Sequence, residues 1–317
     1  MTKNPCCSPG RHDRVSASEN QRPLPASAPD TAERLIQTVV LPGGAFMMGD
    51  HFDEGYAQDG ENPVHRVELA GFDIDRTPIT AAEFARFVAA SGYETEAERY
   101  GTSAVFHLFV KAGEKEILGP VPGLPWWLTV TGADWAHPWG PDSEWTENPD
   151  HPVTHVSWND AVAYCEWAGR ALPTEAQWEY AARGGLSGKR FAWGDELTPG
   201  GDHQCNIWQG RFPVQNTADD GFAATSPVGT FPANGYGLFD MAGNVWHWCA
   251  DFFDPGYYRA SPIENPSGPQ AGLTRVMRGG SHLCHDSYCN RYRVAARSSN
   301  APDSSSSNTG FRTVSKP

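Results

Sequence analysis

The frequency of glycine and proline restricts the fold of this chain more than any other feature, because both residues interrupt regular secondary structure. The sequence of 317 residues contains 33 glycines and 26 prolines. After residue 185 no segment has the start, periodicity and end of a helix, whereas turn signals such as Asn234-Gly235 and Arg278-Gly279-Gly280 recur. We therefore predict an α+β fold with little regular secondary structure.

Five segments before that point have clearer signals. Capping residues at the start and glycine at the end predict helices over residues 80–92, 157–169 and 173–185. Short runs of alternating character predict strands over residues 45–48 and 64–69. No internal repeat and no linker between two cores is evident, so the sequence predicts one domain.

The N-terminal part of the chain differs from the rest in composition. Residues 1–38 are polar, rich in Ser and Pro and without hydrophobic periodicity, which predicts a disordered tail. This tail contains Cys6 and Cys7, which we interpret as incidental, although a vicinal pair could also chelate a metal or exchange disulfides. The 12 Trp, 10 Tyr and 15 Phe provide apolar surface for a folded domain over residues 39–317.

The charge of the chain disfavours several classes of partner. The formal net charge is −14, which argues against binding to nucleic acids and to anionic membranes. No window approaches the ~20 apolar residues of a membrane-spanning helix, and no secretory signal is visible. The seven cysteines are an odd and sparse set, which argues against a complete disulfide framework. We expect a soluble, cytoplasmic monomer.

The most informative segment is the run from Arg278 to Arg291, which contains Cys284 and Cys289 in a C-x4-C spacing. Neither helix nor strand geometry brings two side chains at this spacing together, so the sulfurs can meet only if the chain turns between them. A four-ligand zinc site lacks a second cysteine pair, and redox switches usually have C-x-x-C spacing. Two thiolates alone suit Cu(I). Two unrelated thiols in a loop remain an alternative on spacing alone.

A group of basic residues surrounds this pair. Residues 275–297 contain one acid, Asp286, and five arginines: Arg275, Arg278, Arg291, Arg293 and Arg297. In an acidic chain such a group can stabilise thiolates or recognise an acidic or backbone-rich ligand. Alternatively, the arginines connect loops through carbonyl groups and carboxylates.

Several strings of the sequence resemble the sulfatase-modifying-factor domain. They are residues 151–161, 170–185, 234–238, 243–246 and 310–312. The resemblance extends from about Val39 to Val314 and implies a C-type-lectin-like α+β domain. Residues 278–293 and 295–304 resemble the active-site stretch of formylglycine-generating enzymes, which have a cysteine pair at this spacing.

The resemblance implies an oxidase that uses O2 and acts on a peptide. Such enzymes convert the cysteine of a Cys-x-Pro-x-Arg segment in an unfolded sulfatase to Cα-formylglycine. By analogy Cys284 and Cys289 would hold Cu(I), and the substrate thiolate would join them as a third ligand.

Further site residues follow from the same resemblance. Ser281 corresponds to an active-site serine, Trp246 and Tyr288 would form walls of the pocket, and Asn308 corresponds to a polar residue beside it. Each of these also fits a structural role, since a tryptophan usually belongs to the core.

The family also binds calcium, and two sites are implied. The first consists of Asn206, Ile207, Asp220 and Phe222, with Ile207 and Phe222 contributing backbone carbonyls. The second consists of Asp240, Gly243, Val245 and His247. The family commonly has Glu in place of His247, and imidazole is a poor calcium ligand. We therefore expect calcium to occupy the second site less readily than the first.

The remaining cysteines have weaker interpretations. Cys165 corresponds to one half of a disulfide in secreted members of the family, but the partner position is Thr313. We therefore expect Cys165 to be a buried thiol. We assign no role to Cys205 or Cys249.

Two other functions stay open beside the copper oxidase. One is a non-catalytic, calcium-stabilised lectin-like or peptide-binding member of the superfamily, which would not need Cys284 and Cys289. The other is an iron-dependent sulfoxide synthase, which shares this domain. Those enzymes carry an additional helical domain, for which we expect no room before residue 39.

Overall fold

The computed structural model describes residues 9–10 and 35–316. Most of the predicted tail, including Cys6 and Cys7, lies outside these residues. Within them, Ile36 packs in a hydrophobic core cluster and the first strand begins at Thr38. The packed chain therefore includes residues ahead of the predicted boundary at Val39.

Helices are few and short, as the glycine and proline content predicts. In the described residues they are α1 (Ala81–Ser91), α2 (Glu96–Tyr100), α3 (Trp158–Trp167) and α4 (Glu175–Arg183). The side chains of Thr80, Ser157 and Thr174 cap α1, α3 and α4 by accepting a hydrogen bond from a first-turn backbone amide. These three helices confirm the predictions, while α2, capped by Thr95, was not predicted. Between residues 186 and 316 the described chain has no α-helix.

The strands are equally short. They are β1 (Thr38–Leu41), β2 (Gly44–Met48), β3 (His65–Leu69), β4 (Phe72–Asp75), β5 (Thr102–Phe106), β6 (Ile117–Val121), β7 (Leu124–Thr131), β8 (Arg170–Ala171), β9 (Gly210–Arg211), β10 (Gln215–Asn216), β11 (Trp246–Phe252), β12 (Arg275–Arg278), β13 (Arg297–Asn300), β14 (Thr309–Gly310) and β15 (Val314–Ser315). The two predicted strands are β2 and β3, which pair as an antiparallel hairpin.

Two four-stranded sheets organise the domain. One has the order β1-β4-β15-β8 and the other the order β13-β12-β11-β14. In the second sheet β11 pairs with β14 in parallel and with β12 antiparallel. The pairing of β12 with β13 brings Arg278 opposite Arg297, so the loop between these strands begins and ends at one edge. That loop, residues 279–296, contains both cysteines of the C-x4-C pair.

Aromatic side chains fill the space between these elements. Trp127, Trp178, Trp208, Trp246 and Trp248 are at most 1% exposed. One core cluster packs helices α1 and α3 against Trp246, Trp248 and both cysteines of the loop. The cysteine loop is therefore anchored in the largest region of packed aromatic residues rather than on a mobile surface. No helix among the described residues has the length and apolar character needed to cross a membrane.

Candidate active site

Two glycines direct the chain from β12 into the cysteine loop. Gly279 and Gly280 have φ angles of 92° and 71°, which L-residues with a side chain rarely adopt. A Cβ atom on Gly280 would lie 2.9 Å from the carbonyl oxygen of Arg291 and 3.1 Å from the Cys284 sulfur. The backbone therefore passes so close to the cysteine that a side chain at position 280 has no room.

Two tight turns then bring the cysteines together. The Cys284 amide donates to the carbonyl oxygen of Ser281 at 2.9 Å, and the Cys289 amide donates to that of His285 at 2.7 Å. The two Sγ atoms lie 3.1 Å apart, in the range of a thiol hydrogen bond and too far for a disulfide. Both cysteines are 0% exposed. The predicted turn between the cysteines is thus present, and it brings their two sulfur atoms into contact.

Ser281 and Asn308 lie directly beside Cys284. The Ser281 amide donates to the Cys284 sulfur at 3.3 Å. The Ser281 hydroxyl oxygen accepts from the Asn308 amide at 3.0 Å and from the Leu283 backbone at 3.3 Å. Neither contact uses the hydroxyl's own proton, so this group retains the capacity to donate a hydrogen bond.

The two predicted aromatic residues occupy different environments. Tyr288 stacks on Phe212 with ring centroids 4.4 Å apart and meets Trp126 edge-on at 5.2 Å. Trp246 is 0% exposed, and its backbone amide donates to the carbonyl oxygen of Asn308 at 2.9 Å. Tyr288 therefore belongs to a partly exposed aromatic cluster, while Trp246 belongs to the core and supports the position of Asn308.

The comparisons with known proteins identify the family of the chain. Residues 24–317 match the sulfatase-modifying factor enzyme 1-like domain. The chain belongs to this family. It is 61% identical over 293 residues to the formylglycine-generating enzyme of Streptomyces coelicolor, covering 92% of this chain and 93% of that protein. It is 55% identical over 282 residues to that of Thermomonospora curvata, covering 88% and 93%.

A solved structure has the same fold. PvdO from Pseudomonas aeruginosa superimposes with a TM-score of 0.66 and 25% identity, over 92% of this chain and 98% of PvdO. The family membership and this likeness confirm the predicted fold class. Within this fold Ser281 contacts both Asn308 and Cys284 of the cysteine loop.

The basic residues around the cysteines are paired with buried carboxylates from distant segments. Arg291 forms a bidentate pair with Asp59, and Arg293 with Glu61. Burial raises the pKa of both carboxyl groups, and the facing guanidinium groups oppose this effect. These contacts support the interpretation in which the arginines connect loops.

The other three arginines have comparable structural roles. Arg297 binds Glu175 through both Nε and an Nη nitrogen, at 2.6 and 2.9 Å, and Arg278 binds Glu175 at 2.8 Å. The Arg275 guanidinium carbon lies 3.7 Å from the Trp158 ring centre. The arginine cluster therefore holds the two ends of the cysteine loop in place.

The residues of the first predicted calcium site are brought together. Asp220 accepts hydrogen bonds from the Ile207 amide at 3.2 Å and from the Phe222 amide at 3.0 Å. Asn206 is 1% exposed, and its Oδ1 atom has no hydrogen-bond partner in the described part of the chain. Gln209 donates to Asp220 and to the Ile207 carbonyl oxygen. The buried Asn206 oxygen lacks a donor, and the next residue, Ile207, contacts the Asp220 carboxylate through its amide; oxygen ligands of this kind fit a hard cation.

The second predicted calcium site fits a cation less well. The Nδ1 atom of His247 accepts a hydrogen bond from the Trp178 indole at 3.1 Å, which places the single proton of the neutral ring on Nε2. Burial lowers the pKa of His247 well below its usual value, so the ring stays neutral. Its Nε2 atom is then a donor and has no lone pair for a metal. Asp240 accepts hydrogen bonds from the Gly229 amide and the Asn244 side chain, much as Asp220 does from its neighbours, so the difference between the two sites lies at His247.

One histidine beside the cysteines was not singled out by the sequence. His282 is 0% exposed, and its Nδ1 atom donates to the carbonyl oxygen of Asn244 at 2.9 Å. Burial lowers its pKa to about 4. The Nε2 lone pair lacks a partner among residues 9–10 and 35–316. Its place directly after Ser281 is the signal that could have drawn attention to it.

The remaining described cysteines lie in the core. Cys165, Cys205 and Cys249 are thiols and at most 4% exposed. Burial raises the pKa of Cys205 and Cys249 well above the usual value, which keeps them protonated and unreactive. Thr313, at the predicted partner position of Cys165, instead donates its hydroxyl proton to Asp75 at 2.6 Å. The buried thiol expected at Cys165 is therefore present.

Proposed function

We propose that this chain converts the cysteine of a Cys-x-Pro-x-Arg segment in unfolded sulfatases to Cα-formylglycine, with Cu(I) as cofactor and O2 as co-substrate. The observation that carries the proposal is the 3.1 Å approach of the Cys284 and Cys289 sulfurs in a chain of this family. The high identity to proteins named formylglycine-generating enzyme, 61% and 55%, supports the reaction type.

The donor set at the cysteine loop suits the proposed metal. Cys284 and Cys289 offer two soft sulfur ligands, which favour Cu(I) over hard divalent ions. In the described ranges, 9–10 and 35–316, no group of three or more His, Cys, Asp or Glu side chains is arranged as a metal site. Two protein ligands leave the ion room for the sulfur of a substrate. When bound, the copper supplies the redox chemistry with O2.

The residues around the pair have complementary tasks in this proposal. The Ser281 hydroxyl can donate its proton to a group bound at the cysteines, because its oxygen is held by the Asn308 amide at 3.0 Å. His282 stays neutral at physiological pH and adds no charge beside the cysteines. The aromatic cluster of Trp126, Phe212 and Tyr288 provides an apolar wall for a peptide. Holding the peptide thiol at this place makes the later steps effectively unimolecular.

Calcium has a structural task in this proposal. The carboxylate of Asp220, the side-chain oxygen of Asn206 and the carbonyl oxygens of Ile207 and Phe222 would hold one ion. The adjacent Trp208 amide donates to the Cys284 carbonyl oxygen at 3.1 Å. An ion at residues 206–222 would therefore stiffen the segment that supports the cysteine loop.

The decisive experiment is mass spectrometry of a Cys-x-Pro-x-Arg peptide incubated with the protein, a thiol reductant and O2. We expect the peptide thiol to become an aldehyde in the Cu(I)-loaded sample and to stay unchanged in a copper-chelated sample. Cys284→Ser should abolish conversion, whereas Cys249→Ser, which removes a different buried thiol, should retain it. An unchanged peptide with copper demonstrably bound would favour the non-catalytic peptide-binding function.

A further inference from the structure

The N-terminal segment of this chain contains the same pattern that the proposed substrate has. Residues 7–11 read Cys7-Ser8-Pro9-Gly10-Arg11, which is a Cys-x-Pro-x-Arg segment. Of the seven cysteines, only Cys7 has proline two positions later and arginine four positions later. The interpretation of Cys6 and Cys7 as incidental overlooked this pattern.

The two described residues of this segment contact the folded domain. The side-chain amide of Asn300, at the end of β13, donates to the carbonyl oxygen of Pro9 at 3.0 Å. Pro9 is buried, and Asn300 is 8% exposed. A Cβ atom on Gly10 would lie 2.9 Å from Asn300 Oδ1 and 4.0 Å from Ser304 Oγ. Gly10 thus packs against the side chains of Asn300 and Ser304, so closely that a larger residue at position 10 would displace Asn300.

The chain that follows Asn300 continues to residues that contact the cysteine pair. Residues 304–308 are Ser-Ser-Ser-Ser-Asn, and all are at most 7% exposed. The Ser306 hydroxyl donates to Asn308 at 2.8 Å, and Asn308 donates to Ser281 at 3.0 Å. The Ser281 amide in turn donates to the Cys284 sulfur at 3.3 Å. Pro9 and Gly10 therefore contact the start of segment 300–308, and the end of this segment, Asn308, is hydrogen-bonded to the residue beside Cys284.

We propose that Cys7 is a modification site of this chain and that the chain's own cysteine pair converts it to Cα-formylglycine. The proposal rests on the proposed function. Cys7 precedes Pro9 by two residues, which gives it a reach of up to roughly 7 Å from that anchor. Residues 11–34 can span roughly 80 Å when extended, so the segment can dock in its own domain. A tethered segment has an effective concentration in the millimolar range, which favours this intramolecular substrate.

The conversion balances with the reactants of the proposed function. The Cβ–S unit of Cys7 loses two electrons and two protons, and two external thiols lose the same number as they join in a disulfide. These four electrons and four protons reduce O2 to two molecules of water. Water then replaces sulfur at Cβ, which releases hydrogen sulfide and leaves the aldehyde.

The main test uses the full-length, reduced protein loaded with Cu(I), together with O2 and a thiol reductant. The sample is measured with and without an added Cys-x-Pro-x-Arg peptide. The tryptic fragment Asn4–Arg11 reports both Cys6 and Cys7 in tandem mass spectrometry. We expect an aldehyde at Cys7 and an intact thiol at Cys6, and the Cys6→Ser variant should retain the modification.

The outcomes separate this inference from the function on which it rests. The inference is overturned if the added peptide is converted but Cys7 stays a thiol in both samples, including the one without peptide. The proposed function would still stand. If neither Cys7 nor the cysteine of the added peptide reacts although copper is bound, both the proposed function and the inference fail.

A second measurement reports docking without copper or turnover. In a protein with Cys6→Ser and Cys284→Ser, mild oxidation should join Cys7 to Cys289 within one chain, at a yield independent of protein concentration. Gly10→Val places side-chain atoms against Asn300 and should lower this yield several-fold. The matched Ser16→Val, outside the motif, should not change it. A link between two chains, or no link to Cys289, contradicts the proposed docking.

Discussion

The side-chain amide of Asn308 donates a 3.0 Å hydrogen bond to the hydroxyl oxygen of Ser281. These residues are 27 positions apart in sequence and both are 0% exposed. Because the Asn308 amide and the Leu283 amide both donate to this oxygen, the serine proton is directed elsewhere. The pair thereby sets the direction of a hydrogen-bond donor that lies next to Cys284.

Replacing Asn308 tests this arrangement. Asn308→Asp keeps the shape of the side chain but removes the donor, so the serine would donate to the new carboxylate instead. We expect turnover to fall roughly 10–100-fold, as for outer residues of metal sites, with copper binding at the cysteines retained. Measuring kcat beside copper stoichiometry separates this effect from loss of the metal. Full turnover in Asn308→Asp would show that the donor direction is irrelevant.

The glycine before the cysteines offers a test with a matched control. Gly280 and Gly92 have φ angles of 71° and 65°, but only at Gly280 would a Cβ meet neighbouring atoms. Gly92→Ala should cost about 1 kcal/mol through backbone strain and leave turnover intact. Gly280→Ala should cost more and weaken copper binding, because its Cβ would displace Cys284. Denaturant unfolding and copper titration of both variants provide the measurement, and equal effects at the two positions would contradict this explanation.

Local signals account for the parts of the fold that the sequence predicted. Helices α1, α3 and α4 have their capping side chains within a few residues of their first turn, so their starts can be read directly. The turn between Cys284 and Cys289 is equally local. Helix α2 also has a capping box, from Thr95 to Glu98, but its five residues are too short to show periodicity.

Contacts between distant segments could not be predicted in this way. Arg291 and Asp59 are 232 positions apart, and nothing local to the arginine indicates its partner. Ser281 and Asn308 were connected only through the family resemblance, because no periodicity relates a loop residue to another loop. The motif at Cys7 is a different case: it was legible in the sequence, and the contact of Pro9 with Asn300 drew attention to it.

Calcium removal tests the site at Asp220. A ligand present at about 100 times its dissociation constant stabilises a fold by roughly 2.7 kcal/mol. We therefore expect a chelator to lower the melting temperature by roughly 5 °C or more. Asp220→Asn should abolish the response to added calcium. Asp240→Asn is the matched control, and its calcium response should persist because His247 offers no lone pair there. A calcium response that Asp220→Asn retains and Asp240→Asn loses would assign the ion to the other site.

The acid sensitivity of the fold should depend on Glu179, which is 0% exposed. Burial alone would raise its pKa, but the Arg183 and Arg278 guanidinium groups outweigh this effect and lower it from 4.5 to about 2. A carboxyl group with a lowered folded-state pKa stabilises the fold above the unfolded pKa and loses this contribution as the pH falls through the folded value. The ionised group therefore contributes roughly 3 kcal/mol at pH 7 and less than half of this near pH 3.

Comparing wild type with Glu179→Gln isolates this contribution from the other titrating groups. The difference in free energy of unfolding, from denaturant titrations, should be largest at pH 7 and shrink between pH 4.5 and pH 2. The exposed pair of Glu147 and Lys111 provides the control, since Glu147→Gln should change stability little at either pH. A Glu179→Gln difference that stays constant from pH 7 to pH 3 would mean that the carboxylate contributes through its shape and hydrogen bonds rather than its charge.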